Sequence, residues 1–129
     1  MNDAERQDAI ARIMENEPTI CCQEEDISVH GNCSAVDDET DRAVENWIAR
    51  ELDNGNPWAW CFVTVEYQLA GFVGRTTIGC CSFPNEQAFK EPGSYYDDMK
   101  REAASDLLRS IEKVTTAGLK ALRGLGVNI

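Results

Sequence analysis

The chain has 129 residues, 43% of them hydrophobic, and a formal net charge of −11 at pH 7. That length fits one domain, 1–129, able to bury a core without disulfide or metal staples. The charge argues against nucleic acid and an anionic membrane as direct ligands, because phosphate binding needs clustered Lys and Arg. No apolar run approaches the roughly eighteen residues of a membrane span, and the opening MNDAERQDAI lacks a signal peptide's basic and apolar regions, so a cytoplasmic location is expected.

The charge is uneven along the chain. Residues 1–53 hold fifteen acids against four Arg, whereas residues 54–129 hold eight acids and eight bases.

Ala4 to Met14 reads as a short helix with an apolar stripe of Ala9, Ile10, Ile13 and Met14, closed by Asn16 and Pro18, and residues 1–18 are expected to be a partly docked arm. Thr19 to Cys33 mixes Ile20, Cys21 and Cys22 with the acids Glu24, Glu25 and Asp26 and a turn at His30-Gly31-Asn32, which predicts a loop with at most one short strand. A second helix is predicted over about Glu39 to Leu52. Asp37 or Asp38 caps it, and Ala43, Val44, Trp47, Ile48 and Leu52 share one side. Asp53-Asn54-Gly55-Asn56-Pro57 ends it.

Trp58 to Leu69 and Phe72 to Phe83 are rich in aromatic and β-branched residues and are separated by Ala70-Gly71, the pattern of a β-hairpin. A two-residue loop sets Cys61 opposite Cys80 and Val63 opposite Ile78. Ala59, Cys61, Val63, Val65, Tyr67 and Leu69 then form the core face, and Trp58, Trp60 and Phe62 fall on the other. Pro84 to Gly93 reads as a loop. A long helix follows from about Tyr95 to Leu122, with Tyr96, Met99, Ala103, Leu107, Ile111 and Val114 at helical spacing and Gly118 as a site for a kink or an end. The expected class is α+β: a hairpin covered by the C-terminal helix and helped by one or two N-terminal helices.

Candidate chemistry is sparse. His30 is the only histidine, and none of the six thiols sits in an activating motif, so no catalytic residue is assigned and the chain is read as non-enzymatic. Gly71, Gly74 and Gly79 lie in or beside a strand rather than between a strand and a helix start, where amides converge on a phosphate, so turn and strand packing explain them. Zinc has a case in Cys22, His30 and Cys33 together with Cys61, Cys80 and Cys81. Adjacent cysteines replace the usual spaced knuckle, however, and no metal or cofactor is expected. Asp97 and Asp98 suit the positive end of the last helix. Trp58 and Trp60 need a second cover: the N-terminal segment, a second copy of the chain, or a partner.

HGN at 30–32, GNPWAWCFVTVEY at 55–67, IGCCSF at 78–83 and YYDDMKREA at 95–103 resemble a family of small proteins encoded by bacteriophages and prophages, with a Trp-Ala-Trp-Cys strand, an Ile-Gly-x-Cys-Ser strand and a Tyr-Tyr-x-Asp-Met helix start. The resemblance covers about residues 28–112, and Phe83 departs from the tyrosine of that pattern. It implies a source and a fold rather than a mechanism. In size and charge the chain is also similar to anti-CRISPR proteins, which implies a host bacterial cytoplasm and a host partner with a basic nucleic-acid-binding surface, such as a CRISPR effector or another defence complex. Carboxylates would take the places of phosphates there. Under that reading Glu24, Glu25, Asp26, Asp37, Asp38, Glu39, Asp41 and Glu45 meet the partner and are expected to be exposed, with Trp58 and Trp60 as an aromatic supplement. Two alternatives remain: a small-ligand or zinc module built on the cysteines and His30, and a double-stranded-RNA-binding-like domain using Lys90, Lys100, Arg101, Arg109 and Lys113.

Overall fold

The computed structural model describes residues 1–32 and 37–128. In chain order the elements are α1 (Asp3–Met14), β1 (Thr19–Glu24), α2 (Asp38–Asp53), a 3-10 turn (Pro57–Ala59), β2 (Cys61–Leu69), β3 (Phe72–Cys81), α3 (Glu86–Lys90) and α4 (Tyr96–Gly124). The strands form one antiparallel sheet in the order β1-β2-β3. The α+β class read from the sequence is therefore the observed one, with β1 as a third strand beside the hairpin.

Ala70 (φ 51°) and Gly71 (φ 84°) both occupy the left-handed region, the two-residue turn whose twist matches antiparallel strands. The register follows from it. Thr64 and Thr77 hydroxyls meet at 2.8 Å, and Arg75 pairs with Glu66 at 3.2 Å, both directly across the hairpin. On the opposite face Cys61, Val63, Val65 and Tyr67 are buried.

Three local expectations are corrected. The first strand begins at Cys61 rather than Trp58, because Asn56 accepts from the Trp58 N–H and Pro57 opens a 3-10 turn. The loop predicted over Pro84 to Gly93 contains α3, capped by Asn85, whose side chain accepts from Ala88 N at 2.9 Å. Cys80 does not share the buried face with Cys61. It is exposed while Cys81 is buried, because Cys80 adopts φ 53° and this one-residue irregularity exchanges the faces at the end of β3.

The chain divides into two compact units, Met1–Thr19 with Val65–Thr76 and Lys100–Ile129, and Ile20–Thr64 with Thr77–Met99. In the first, Ile10, Val65, Tyr67, Ala103, Ala104, Leu107 and Leu108 are buried. Gly74 sets the distance between sheet and helix: a Cβ there would lie 2.2 Å from Leu107 N and 2.3 Å from Ala103 O. α1 opens with a capping box between Asn2 and Glu5, and its Arg6 pairs with Glu112 of α4. α4 runs unbroken through Gly118 to Gly124, and residues 113–128 are exposed.

In the second unit, Ile48, Ala59 and Trp60 form a buried cluster against Val29, Trp47 and Leu52. A second apolar group stacks Phe89 against Trp58 at 5.5 Å, Phe83 at 5.4 Å and Tyr96 at 5.4 Å between ring centroids. Each large side chain removed from water in this way contributes about 1.5–3 kcal/mol.

Candidate acidic interface

The charge divides with the units. The first holds nine acids and nine bases; the second holds fourteen acids and only Arg42, Arg50 and Lys90 as bases, so it alone carries the net charge of −11. All eight acids singled out from the sequence lie in this second unit.

They do different work. Glu25 follows β1, whose link to β2 extends to Glu25 N donating to Trp60 O at 3.0 Å. Its Oε2 accepts from Cys80 N at 2.9 Å, and its Oε1 accepts from Asp26 N at 3.1 Å. The carboxylate thus satisfies the amide that the left-handed Cys80 turns away from the ladder. Gly79 leaves it room, since a Cβ there would lie 3.0 Å from Glu25 Oε2.

Asp37 is the N-cap of α2 and accepts from Thr40 N at 2.7 Å, which holds its carboxyl below the ordinary value of 3.8. Glu45 lies 3.2 Å from His30 Nδ1 and accepts from Gly31 N at 3.3 Å. The His30 ring first, then the Gly31 amide, depress its carboxyl below 4.5. Expected to be exposed, Glu45 and Asp41 are half-buried, because the α2 face that carries them meets the His30-Gly31 turn. Glu24, Asp26, Asp38 and Glu39 are exposed. Asp38, Asp41 and Glu45 line one shallow depression with His30, Gly31 and Arg42.

The aromatic supplement is reduced by the fold. Trp60 is 3% exposed, packed in its own core, with its indole N–H donating to Ile27 O at 2.7 Å, so it is unavailable as a contact surface. Trp58 is half-buried against Phe83 and Phe89. The 3-10 turn breaks the strand alternation that would have placed both rings on an open face.

The thiols are arranged for packing. Cys61 Sγ donates to Trp58 O at 3.6 Å, and Cys81 Sγ donates to Gly79 O at 3.4 Å. Burial raises the pKa of Cys22, Cys61 and Cys81, which favours the protonated thiol over the thiolate that a nucleophilic mechanism needs. Cys33 lies outside the described residues, and His30 engages Glu45. Among the described residues no group of three or more His, Cys, Asp and Glu side chains is placed to hold a metal ion. Of the basic candidates, Lys90 belongs to the acidic unit, and Lys100, Arg101, Arg109 and Lys113 lie on α4 in the neutral one, where Arg109 pairs with Asp106 at 3.5 Å.

No protein family, curated protein or solved structure matches the chain. Among the described residues, no helix is long and apolar enough to cross a membrane.

Proposed function

We propose that the chain is a non-catalytic binding protein whose acidic unit occupies a basic nucleic-acid-binding surface of another protein, in the manner of a phage-encoded inhibitor of host defence. The observation that carries this reading is the confinement of the whole net charge to one unit, with fourteen acids against three bases. Field strength depends on net rather than total charge, so such a surface steers a cationic partner and competes with phosphates. Glu24, Asp26, Asp38 and Glu39 are the contact residues, being exposed. Glu25, Asp37 and Glu45 shape the surface through their amide hydrogen bonds. A nucleophilic thiol function is disfavoured by burial, which favours the protonated form of Cys22, Cys61 and Cys81, and a double-stranded-RNA function by the nine acids that offset the nine bases of the unit holding Lys100, Arg101, Arg109 and Lys113.

The test uses purified CRISPR effector complexes and other DNA- or RNA-binding defence proteins, each assayed for nucleic-acid binding with and without the chain. Competition is expected with at least one of them, weakening steeply as salt rises from about 0.05 to 0.5 M because screening shortens the reach of exposed charge. Reversal of Glu24, Asp26, Asp38 and Glu39 to Lys should reduce it by about a hundredfold or more, the loss expected when several charge contacts become repulsive. Competition indifferent to both salt and reversal would refute the mimicry.

A further inference from the structure

Among the described residues, Ala70 and Cys80 alone hold a positive φ without being glycine. Ala70 belongs to the hairpin turn, whose geometry requires that region. Cys80, at φ 53°, lies inside β3, where a side chain disfavours it. The irregularity is bracketed on both sides. Thr77 faces Thr64, and six positions on from each of them Phe83 N–H donates to Trp58 O at 2.8 Å. Equal numbers of residues separate the two pairs. The exchange of faces therefore happens between them without an inserted residue, and its place within that span is open to movement by one position.

Identical neighbours make that movement neutral in its side chains. With the irregularity at Cys80, Cys81 is 7% exposed and Cys80 faces water. With it at Cys81, Cys80 takes the buried place opposite Cys61 that the hairpin register gives it, and Cys81 takes the exposed one. In either placement one of the two thiols fills the core, the other is exposed, and one cysteine adopts the left-handed region. Two different residues at 80 and 81 would choose between the placements by size and polarity, whereas two cysteines do not. The choice falls to Glu25. Its Oε2 accepts from Cys80 N at 2.9 Å, and Gly79 leaves room for that oxygen, since a Cβ there would lie 3.0 Å away. The bond from Cys81 Sγ to Gly79 O at 3.4 Å adds little, because a thiol is a weak donor.

We propose that the end of β3 has two states, with the irregularity at Cys80 and Glu25 bound to it, or at Cys81 and Glu25 Oε2 released, and that Glu25 sets the balance between them. The first is the state observed. In the second the Cys80 N–H returns to the ladder opposite Cys61 and needs no carboxylate. A released Glu25 joins the exposed acids, so a basic partner that engages it draws the strand end toward the second state. That coupling rests on the proposed acidic interface, whereas the two states themselves do not.

Alkylation of the full chain by iodoacetamide, quenched at intervals and read by fragment mass spectrometry, follows both residues at once, with the exposed Cys21 as reference. Glu25→Ala should move them in opposite directions. A rise of about tenfold at Cys81, as its exposed fraction goes from about one-twentieth to about one half, is matched by a fall of about twofold at Cys80. Simple fraying raises Cys81 and leaves Cys80 unchanged. Glycine takes the left-handed region without the penalty of a Cβ, so it shifts the balance from either side. Cys80→Gly should hold the observed state and slow Cys81 by about fivefold or more. Cys81→Gly should transfer the irregularity and slow Cys80 by about twofold or more, with the parent's far-UV circular dichroism. A rise at Cys81 without a fall at Cys80 in Glu25→Ala overturns the proposal, as does a folded Cys81→Gly whose Cys80 reacts as fast as in the parent. Should Cys81→Gly not fold, Glu25→Ala and Cys80→Gly decide, and an unslowed Cys81 in the latter also overturns it. No partner enters the experiment, so its failure and that of the nucleic-acid competition are separate results.

Discussion

The two units differ in how their carboxylates are held. In the neutral unit acids meet cations: Asp8 with Arg12, Glu66 with Arg75, Asp106 with Arg109, and Glu112 with Arg6, although Asp106 also accepts from Arg75 N at 3.0 Å and Glu5 from Asn2 N at 3.4 Å. In the acidic unit they meet backbone amides: Glu25 with Cys80, Asp37 with Thr40, and Glu45 with Gly31, the last also beside the His30 ring. An ion pair satisfies the oxygens and cancels the charge, whereas an amide satisfies the oxygens and leaves the charge in place. The acidic unit can therefore fix its carboxylates and still project the field that the proposed function needs. Its fold should depend on the ionisation of those groups, while the neutral unit should depend on shape.

The largest expected effect probes shape. Gly74→Ala forces a methyl group into the α4 backbone at Leu107 N and Ala103 O, neither of which is a flexible side chain. Stability should fall by about 3 kcal/mol or more, or the chain should fail to fold. Chemical denaturation reads the loss, and a neutral result would show that strand and helix do not lie in that contact.

Next comes the amide-bound carboxylate of the acidic unit. Glu25→Ala orphans the Cys80 N–H and two turn contacts at Asp26 and Ile27. The expected cost is about 1 kcal/mol, since Cys80 is exposed and water takes up its freed amide. In the same variant Cys81, buried in the parent, should become open to alkylation as the end of β3 loosens. Unchanged labelling by mass spectrometry would separate Glu25 from the Cys80 irregularity.

A smaller effect separates the units by pH. The folded-state pKa values of Asp37 and Glu45 lie below the ordinary 3.8 and 4.5. A depressed carboxylate contributes stability that is complete above its unfolded value and is lost as pH falls through the folded one. Stability should thus decline on acidification below about pH 5. Asp37→Asn and Glu45→Gln should each make that decline shallower while lowering Tm at neutral pH by a few degrees. An unchanged acid slope in both variants would remove the amide-bound carboxylates from the account.

The smallest effect returns to shape at the shared turn. Ala70 holds φ 51° without the tolerance that Gly or Asn has for that region. Ala70→Asn should raise stability by about 0.5–1 kcal/mol, and a loss in its place would contradict the turn conformation.

Much of the fold was legible because it is local. The alternation in Cys61–Leu69, the Ala70-Gly71 pair, the Asp37 cap and the periodicity of Tyr96–Gly124 each follow from residues a few positions apart, and these elements stand within a few residues of where the pattern places them. The eight acids were likewise legible as an acidic set.

What the sequence could not separate was their division of labour. Glu24, Glu25 and Asp26 are chemically alike neighbours, yet only Glu25 reaches Cys80, 55 positions away. That long-range bond accompanies the left-handed residue that moves Cys81 into the core and Cys80 out of it. Trp60 likewise reads as one side of a strand until the Pro57–Ala59 turn and the Ile27 carbonyl enclose it. The division of charge into a neutral and an acidic unit is also tertiary, because each unit gathers segments distant along the chain. Short-range sterics and periodicity determined which elements exist; contacts between distant segments decided which of their charges remain uncancelled and which side chains stay in water.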